Sequence, residues 1–304
     1  MNSLLQNANN FSCSSSKTIS LGFSSETHQR LNVERDFIEW LVGFTDGDGC
    51  FSITKSNINN SYQFSFKIGQ SVYNGRILHY IKKNLGYGSI TKSGVKNTMS
   101  RTGIKGTSIM LQYRICDTKV LKYLVMPIFL QYPLHTMKYY NFNLFKQALY
   151  SADLETRTNI KQLFKEGTPD DYLSPHSNIP TKNWIVGFTE AEGSFYIVKK
   201  ESGRLVHGFG FTQKRDKRIL EQLRTVFNIK SSVKSIVKGG WGLDTTNSRS
   251  IESIIVYYKD TLKGMKSVEY RIWARSYFKH KGDFEALTKI QQQMRKLRTK
   301  QPPI

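Results

Sequence analysis

A stretch of fourteen residues occurs twice in this chain. Trp40 to Ile53 reads WLVGFTDGDGCFSI, and 144 residues later Trp184 to Ile197 reads WIVGFTEAEGSFYI. Eight of the fourteen positions are identical, and both acids of the first copy are acids again in the second. A long unit present twice specifies two related halves, because a solenoid needs at least three short repeats. The chain then divides into five parts. Residues 1–34 are a Ser- and Asn-rich tail expected to be flexible; Lys17 and Arg30 are its only Lys or Arg residues, which is thin for a mitochondrial leader. The first half covers 35–150 and the second 183–288. Between them 151–182, with Gly167, Pro169, Pro175 and Pro180, reads as a linker. Residues 289–304 form a basic tail whose core, from Ile290 to Arg298, has the pattern of an amphipathic helix.

Each copy opens on a helix. Phe37, Trp40, Leu41 and Phe44 recur at helical spacing, while Ile38 and Val42 make the other side apolar too. Such a helix must be buried on both faces, one against its own half and the other against its twin. Gly43 and Gly187 would let the two backbones approach closer than the usual ~8–10 Å. Strands follow: Phe51/Ile53, Tyr62–Ile68, a weaker Ser89–Thr91 and Ile109–Ile115, then Phe195/Ile197, Phe209/Phe211, Val233–Val237 and Trp241–Thr245. Helices fit at 76–84, 119–124, 217–227 and 250–258. Both halves read αββαββα, an α+β fold whose antiparallel sheets keep one face free for a partner.

Each paired helix ends on acids, Asp46 and Asp48 in one copy and Glu190 and Glu192 in the other. A carboxylate at a helix C-terminus is disfavoured by roughly 0.3–1 kcal/mol, and the pattern is repeated in a chain of 45 basic and 23 acidic residues. The acids call for a counter-charge, and Mg²⁺ or Mn²⁺ suits carboxylate and helix-end carbonyl oxygens. Asp46 to Gly49 begins like a calcium loop, but no glutamate closes it and the second copy lacks the pattern. Gly49 and Gly193 are expected as left-handed helix caps. The net charge of +22 favours a polyanion, nucleic acid first, with a ribosome-associated or membrane-surface protein as the alternative. Cys13, Cys50 and Cys116 form neither a zinc pattern nor an even disulfide set. No apolar run approaches the ~20 residues of a membrane span.

Leu41-Val42-Gly43-Phe44-Thr45-Asp46-Gly47-Asp48-Gly49 and Ile185-Val186-Gly187-Phe188-Thr189-Glu190-Ala191-Glu192-Gly193 resemble the two signatures of a double-motif LAGLIDADG homing endonuclease. The resemblance spans about residues 35–285 and is nearest to intron-encoded members of fungal and algal organelles, some of which are also maturases. It implies two αββαββα halves forming a saddle over DNA, with the motif helices at the interface. It implies a monomer with an internal pseudo-dimer, acting in the mitochondrion, with the chloroplast as alternative. Asp48 and Glu192 would bind the catalytic cations, supplemented by the carbonyls of Gly47 and Ala191, while Asp46 and Glu190 serve helix ends and the interface. Glu for Asp and Ala for Gly in the second motif is a variation common in monomeric members.

A second set of residues surrounds those acids. Extending the alternation of Phe64, Phe66 and Ile68 puts Gln70 on the apolar face, and Phe209 and Phe211 do the same for Gln213. A polar side chain there needs partners, and both match a family position that orders active-site water. Lys138 and Lys266 look like the family's paired basic residues, which stabilise charge on the scissile phosphate. Base reading would fall to exposed strand faces: Ser52, Thr54, Gln63, Ser65, Lys67, Gln112 and Arg114 in the first half, Tyr196, Lys200, Lys234 and Lys238 in the second. The expected partner is a double-stranded DNA target and the expected reaction metal-dependent phosphodiester hydrolysis for a mobile, group I intron. The alternatives are an RNA maturase acting on the host intron, alone or in addition, and a catalytically dead DNA-binding protein.

Overall fold

The computed structural model describes residues 18–21, 31–56, 61–99, 105–169, 172, 174–176, 178–237 and 239–299. Most of the expected N-terminal tail lies outside them, although β1 (Thr18–Leu21) and β2 (Leu31–Glu34) pair antiparallel. The first half runs α1 (Arg35–Asp48), β3 (Gly49–Lys55), β4 (Tyr62–Ser71), α2 (Gly75–Leu85), β5 (Ser89–Met99) and β6 (Lys105–Ile115). A continuous helical run follows, α3 (Thr118–Val120), a π turn (Leu121–Val125) and α4 (Met126–Gln131), and then α5 (Lys138–Tyr150). After α6 (Leu154–Glu166), the second half repeats the order with α7 (Lys182–Glu192), β7 (Gly193–Lys199), β8 (Leu205–Gln213), α8 (Lys217–Val226), β9 (Lys234–Ser235) and β10 (Trp241–Thr245). It closes on α9 (Ser248–Tyr258), α10 (Lys266–His280) and α11 (Phe284–Thr299). The two antiparallel sheets share one strand order, β3-β4-β6-β5 and β7-β8-β10-β9.

Each sheet buries one face under its helices. In the first half Phe51 meets Phe66, Phe129, Phe142 and Phe145 at ring separations of 5.2–5.5 Å. In the second Phe195 meets Phe209, Tyr258, Tyr270 and Trp273 at 5.0–5.7 Å. Burial of an aromatic ring of this kind contributes roughly 2–3 kcal/mol. The expected close approach of α1 and α7 is present. A Cβ on Gly43 would fall on the Trp184 carbonyl, 2.7 Å from its carbon, and one on Gly187 on the Trp40 carbonyl, 2.9 Å from Phe44 N.

Several elements differ from the expectation. Gly49 and Gly193 are extended, at φ −77° and −72°, rather than left-handed. They are glycine for room: an added Cβ would lie 2.9 Å from the carbonyl oxygens of Thr45 and Thr189. β5 continues far past Thr91, through a bulge between Lys92 and Gly94 where Gly94 takes φ 123°. β9 is only two residues long. The expected linker holds α6, capped by Asp153 and docked on the first half through Ile160 and bonds of Thr158 to Tyr62 and Lys161 to the Ile53 carbonyl. The Pro and Gly residues that marked a linker all follow Glu166. The basic C-terminal segment is part of α11, which buries Leu287 and Met294 and donates from Gln291 to the Ile197 carbonyl at 2.7 Å. Among the described residues no helix is long and apolar enough to cross a membrane.

Candidate active site

The ends of α1 and α7 meet. A Cβ on Gly47 would overlap that of Ala191 and come within 3.2 Å of Glu192 Cγ, so Asp48 and Glu192 lie side by side across the interface. Gln70, at the end of β4, donates to Asp48 Oδ2 at 2.6 Å. Gln213, at the end of β8, hydrogen-bonds Glu192. The two glutamines that broke the apolar alternation therefore hold the two acids. Burial raises the pKa of Glu192, and the adjacent Asp48 charge raises it further.

The outer acids have different partners. Asp46 is fully buried and accepts from His135 N (2.9 Å), Thr136 N (3.1 Å), the Thr136 hydroxyl and, from the other half, Trp184 Nε1 (2.9 Å). Glu190 accepts from the backbone N–H groups of Lys263 and Gly264. The mirror image of the Trp184–Asp46 bond is not made. Trp40 Nε1 and Glu190 Oε2 are both buried without a hydrogen-bond partner. Burial raises the pKa of both outer acids.

Lysines supply part of the counter-charge that the acids call for. Lys138, the first residue of α5, donates to the carbonyls of Thr45 (3.0 Å) and Gly47. Lys266, the first residue of α10, donates to the Gly193 carbonyl. Burial lowers the pKa of Lys138, opposed by Asp48, Asp46 and Glu192, which favour its charged form. The Gly47 oxygen, expected as a metal ligand, accepts from the Lys138 ammonium, and the Ala191 side chain packs on Gly47.

A divalent cation fits what remains. Asp48 and Glu192 are two partly buried carboxylates, the charge of Asp48 raising the pKa of Glu192. Among the described residues no group of three or more His, Cys, Asp or Glu side chains could hold an ion. Two carboxylates with water and a substrate phosphate are the usual setting for Mg²⁺, which does not need an all-protein cage.

The two halves also match one family model. The LAGLIDADG endonuclease model covers residues 41–149 and 185–277. The chain belongs to the LAGLIDADG endonuclease family. It is 36% identical over 296 residues to the probable intron-encoded endonuclease Cox1-I1b of Schizosaccharomyces pombe, covering 91% of this chain and 72% of that protein. It is 29% identical to the probable intron-encoded endonuclease 4 of Neurospora crassa, covering 78% of this chain but only 39% of the relative. Among solved structures, I-SmaMI bound to its uncleaved DNA target with calcium ions matches at a TM-score of 0.69 and 23% identity, over 86% of this chain and 97% of that one. I-GzeII in complex with DNA matches at 0.67 and 19% identity, over 84% and 97%.

In this LAGLIDADG chain the candidate base-reading residues of the first half share the open sheet face. Ser52 pairs with Ser65 and Thr54 with Gln63, while Lys67 pairs with Arg114 and Gly69 with Gln112. Ser65 is a correction. It lies on that face but is only 2% exposed, opposite Ser52, whose hydroxyl accepts from Lys67 Nζ at 3.2 Å. In the second half Tyr196 lies opposite Gly208, its ring covering the place of a side chain there. Lys234 sits on the same ladder as Gly242 and Thr212, Lys200 is exposed beyond β7, and Lys238 lies outside the described residues. Three residues of this surface and site were not singled out from sequence. Asp244 is exposed opposite Gly210 on the open face. Asn74 donates to Gln70 Oε1 at 2.8 Å, and Asp216 accepts from Met137 N at 2.8 Å. A signal for the last two exists: Asn74-Gly75-Arg76-Ile77-Leu78 and Asp216-Lys217-Arg218-Ile219-Leu220 are a second repeat.

Proposed function

We propose that this chain is a site-specific endonuclease that hydrolyses both strands of a DNA target for a mobile intron, in the mitochondrion. The observation that carries the reading is the pairing of Asp48 with Glu192 where α1 and α7 converge, each held by a glutamine and flanked by a lysine. One acid from each half lets a single site serve both strands. When bound, Mg²⁺ or Mn²⁺ on these acids lowers the pKa of water and offsets charge at the phosphate. Gln70 and Gln213 orient the carboxylates, and Lys138 and Lys266 stabilise the negative charge that develops on the phosphate. The open sheet faces, with Lys67, Gln112, Arg114, Tyr196 and Lys234, lie against the DNA, where amide and guanidinium groups read base edges. Asp244 adds an acceptor suited to a cytosine amine, since a phosphate would repel it. The mitochondrial setting follows the relatives, among them the mitochondrial protein RF1 of Saccharomyces cerevisiae, 30% identical over 232 residues.

The test uses a plasmid carrying the intronless junction of the host gene. Wild type should linearise it with Mg²⁺ and leave it intact with a chelator, and Asp48→Asn should leave it intact throughout. Linearisation by Asp48→Asn at the wild-type rate would overturn the assignment.

A further inference from the structure

The second repeat, Asn74 to Leu78 and Asp216 to Leu220, sends an acceptor and an arginine from each half to the segment just before the other half's lysine. The two arginines differ in their further partners, Arg218 bonding the Ser174 and His176 carbonyls and Arg76 the Ser267 hydroxyl. Asp216 Oδ1 accepts from Met137 N, the residue before Lys138, and Arg218 Nη2 donates to the His135 carbonyl at 3.3 Å. Asn74 Oδ1 accepts from Met265 N at 2.8 Å, the residue before Lys266, and Arg76 donates to the Gly264 carbonyl. In both cases a side chain at the start of one half's helix, α2 or α8, caps the helix that carries the other half's lysine.

We infer that these two clamps are positioning elements for the catalytic lysines, so that each lysine of this endonuclease is set by the half that does not contain it. The physical reason lies at the helix starts. Met137 and Met265 are the N-cap residues of α5 and α10, and neither supplies a capping side chain of its own. The N–H groups of Met137 and Met265 need acceptors, and Asp216 and Asn74 provide them from across the interface, while the next N–H of α5, that of Lys138, donates to Thr136 Oγ1 in its own half at 3.3 Å. Lys138 and Lys266 follow immediately, so the cap fixes the residue from which each long side chain reaches its carbonyl. Asn74 extends the chain further, because its amide also donates to Gln70, which holds Asp48. Asp216 makes the cleaner test, since its carboxylate accepts from Met137 N, whereas the Asn74 amide also bonds the glutamine that holds Asp48.

The inference rests on the endonuclease reading and is tested on the full chain with its plasmid target, each strand separately end-labelled. Asp216→Ala should slow cleavage about 10–100-fold, with the loss on the same strand as in Lys138→Ala. In a Lys138→Ala background Asp216→Ala should cost less than about threefold, because a residue acting through the lysine has nothing left to position. Asp216→Asn, which keeps an oxygen for Met137 N, should restore most of the rate, and DNA affinity should stay near wild type in all variants. Equal, additive losses in both backgrounds would show a merely structural role and overturn the clamp, as would an Asp216→Ala enzyme that cuts at full rate. Absence of wild-type cleavage would instead refute the endonuclease reading, and the clamp's catalytic role with it.

Discussion

Gly43→Ala tests the interface on which everything else depends. The new Cβ would sit 2.7 Å from the Trp184 carbonyl carbon and 2.9 Å from its Cα, with the carbonyl oxygen nearer still. Ordinary contact begins near ~3.4 Å; the carbonyl carbon alone would require α1 and α7 to part by ~0.7 Å, and the nearer oxygen requires more. A flexible side chain could swing away, but the obstacle here is helix backbone. Overpacking costs about 1–3 kcal/mol, and the rigid partner places this change at the upper end. At ~2–4 °C per kcal/mol, Gly43→Ala should lower the unfolding midpoint by roughly 6–12 °C. Gly69→Ala is the control, since a Cβ there meets nothing within 4 Å. Thermal unfolding followed by circular dichroism measures both. Cleavage well below the midpoint should fall up to ~100-fold for Gly43→Ala, because parting the helices separates Asp48 from Glu192. A Gly43→Ala protein with an unchanged midpoint and full activity would refute the idea that these glycines set the distance between the acids.

Further outcomes follow from the site and its charges. Asp48→Asn and Glu192→Gln should each abolish double-strand cleavage yet leave target affinity within about tenfold, as gel-shift titrations would show, because phosphate contacts dominate binding. If roughly 6–10 phosphates are neutralised, affinity should drop ~10³–10⁵-fold between about 50 and 200 mM salt, and a flat titration would sever the +22 charge from nucleic acid. Buried His207, bonded to Ser276, has its pKa pushed down to about 4 by burial, with Lys281 adding to the shift. Between that value and the unfolded ~6.5, only the unfolded chain binds the proton. Its contribution to stability is therefore full above about pH 6.5 and lost as pH falls towards 4; His207→Asn should flatten that slope in denaturant unfolding, and an identical slope would refute the assignment.

Some of this protein is set by local sequence alone. The duplicated motif, its two-sided apolar helix and its terminal acids dictated two α+β halves joined along those helices, since such a helix has no other way to bury both faces. The break in alternation at Gln70 and Gln213 marked the walls of the site, because a polar group on an apolar face needs a partner. What those side chains meet was decided by the tertiary structure. Ser65 sits in register with exposed residues yet is covered, and the Gly47 carbonyl takes an ammonium, because both depend on neighbours distant in sequence. Asn74 and Asp216 stood in a visible repeat, but their partners lie 191 and 79 residues away, in the opposite half. Periodicity reports the face a residue occupies within its own element; which helix end it caps exists only once α1 and α7 have brought the halves together.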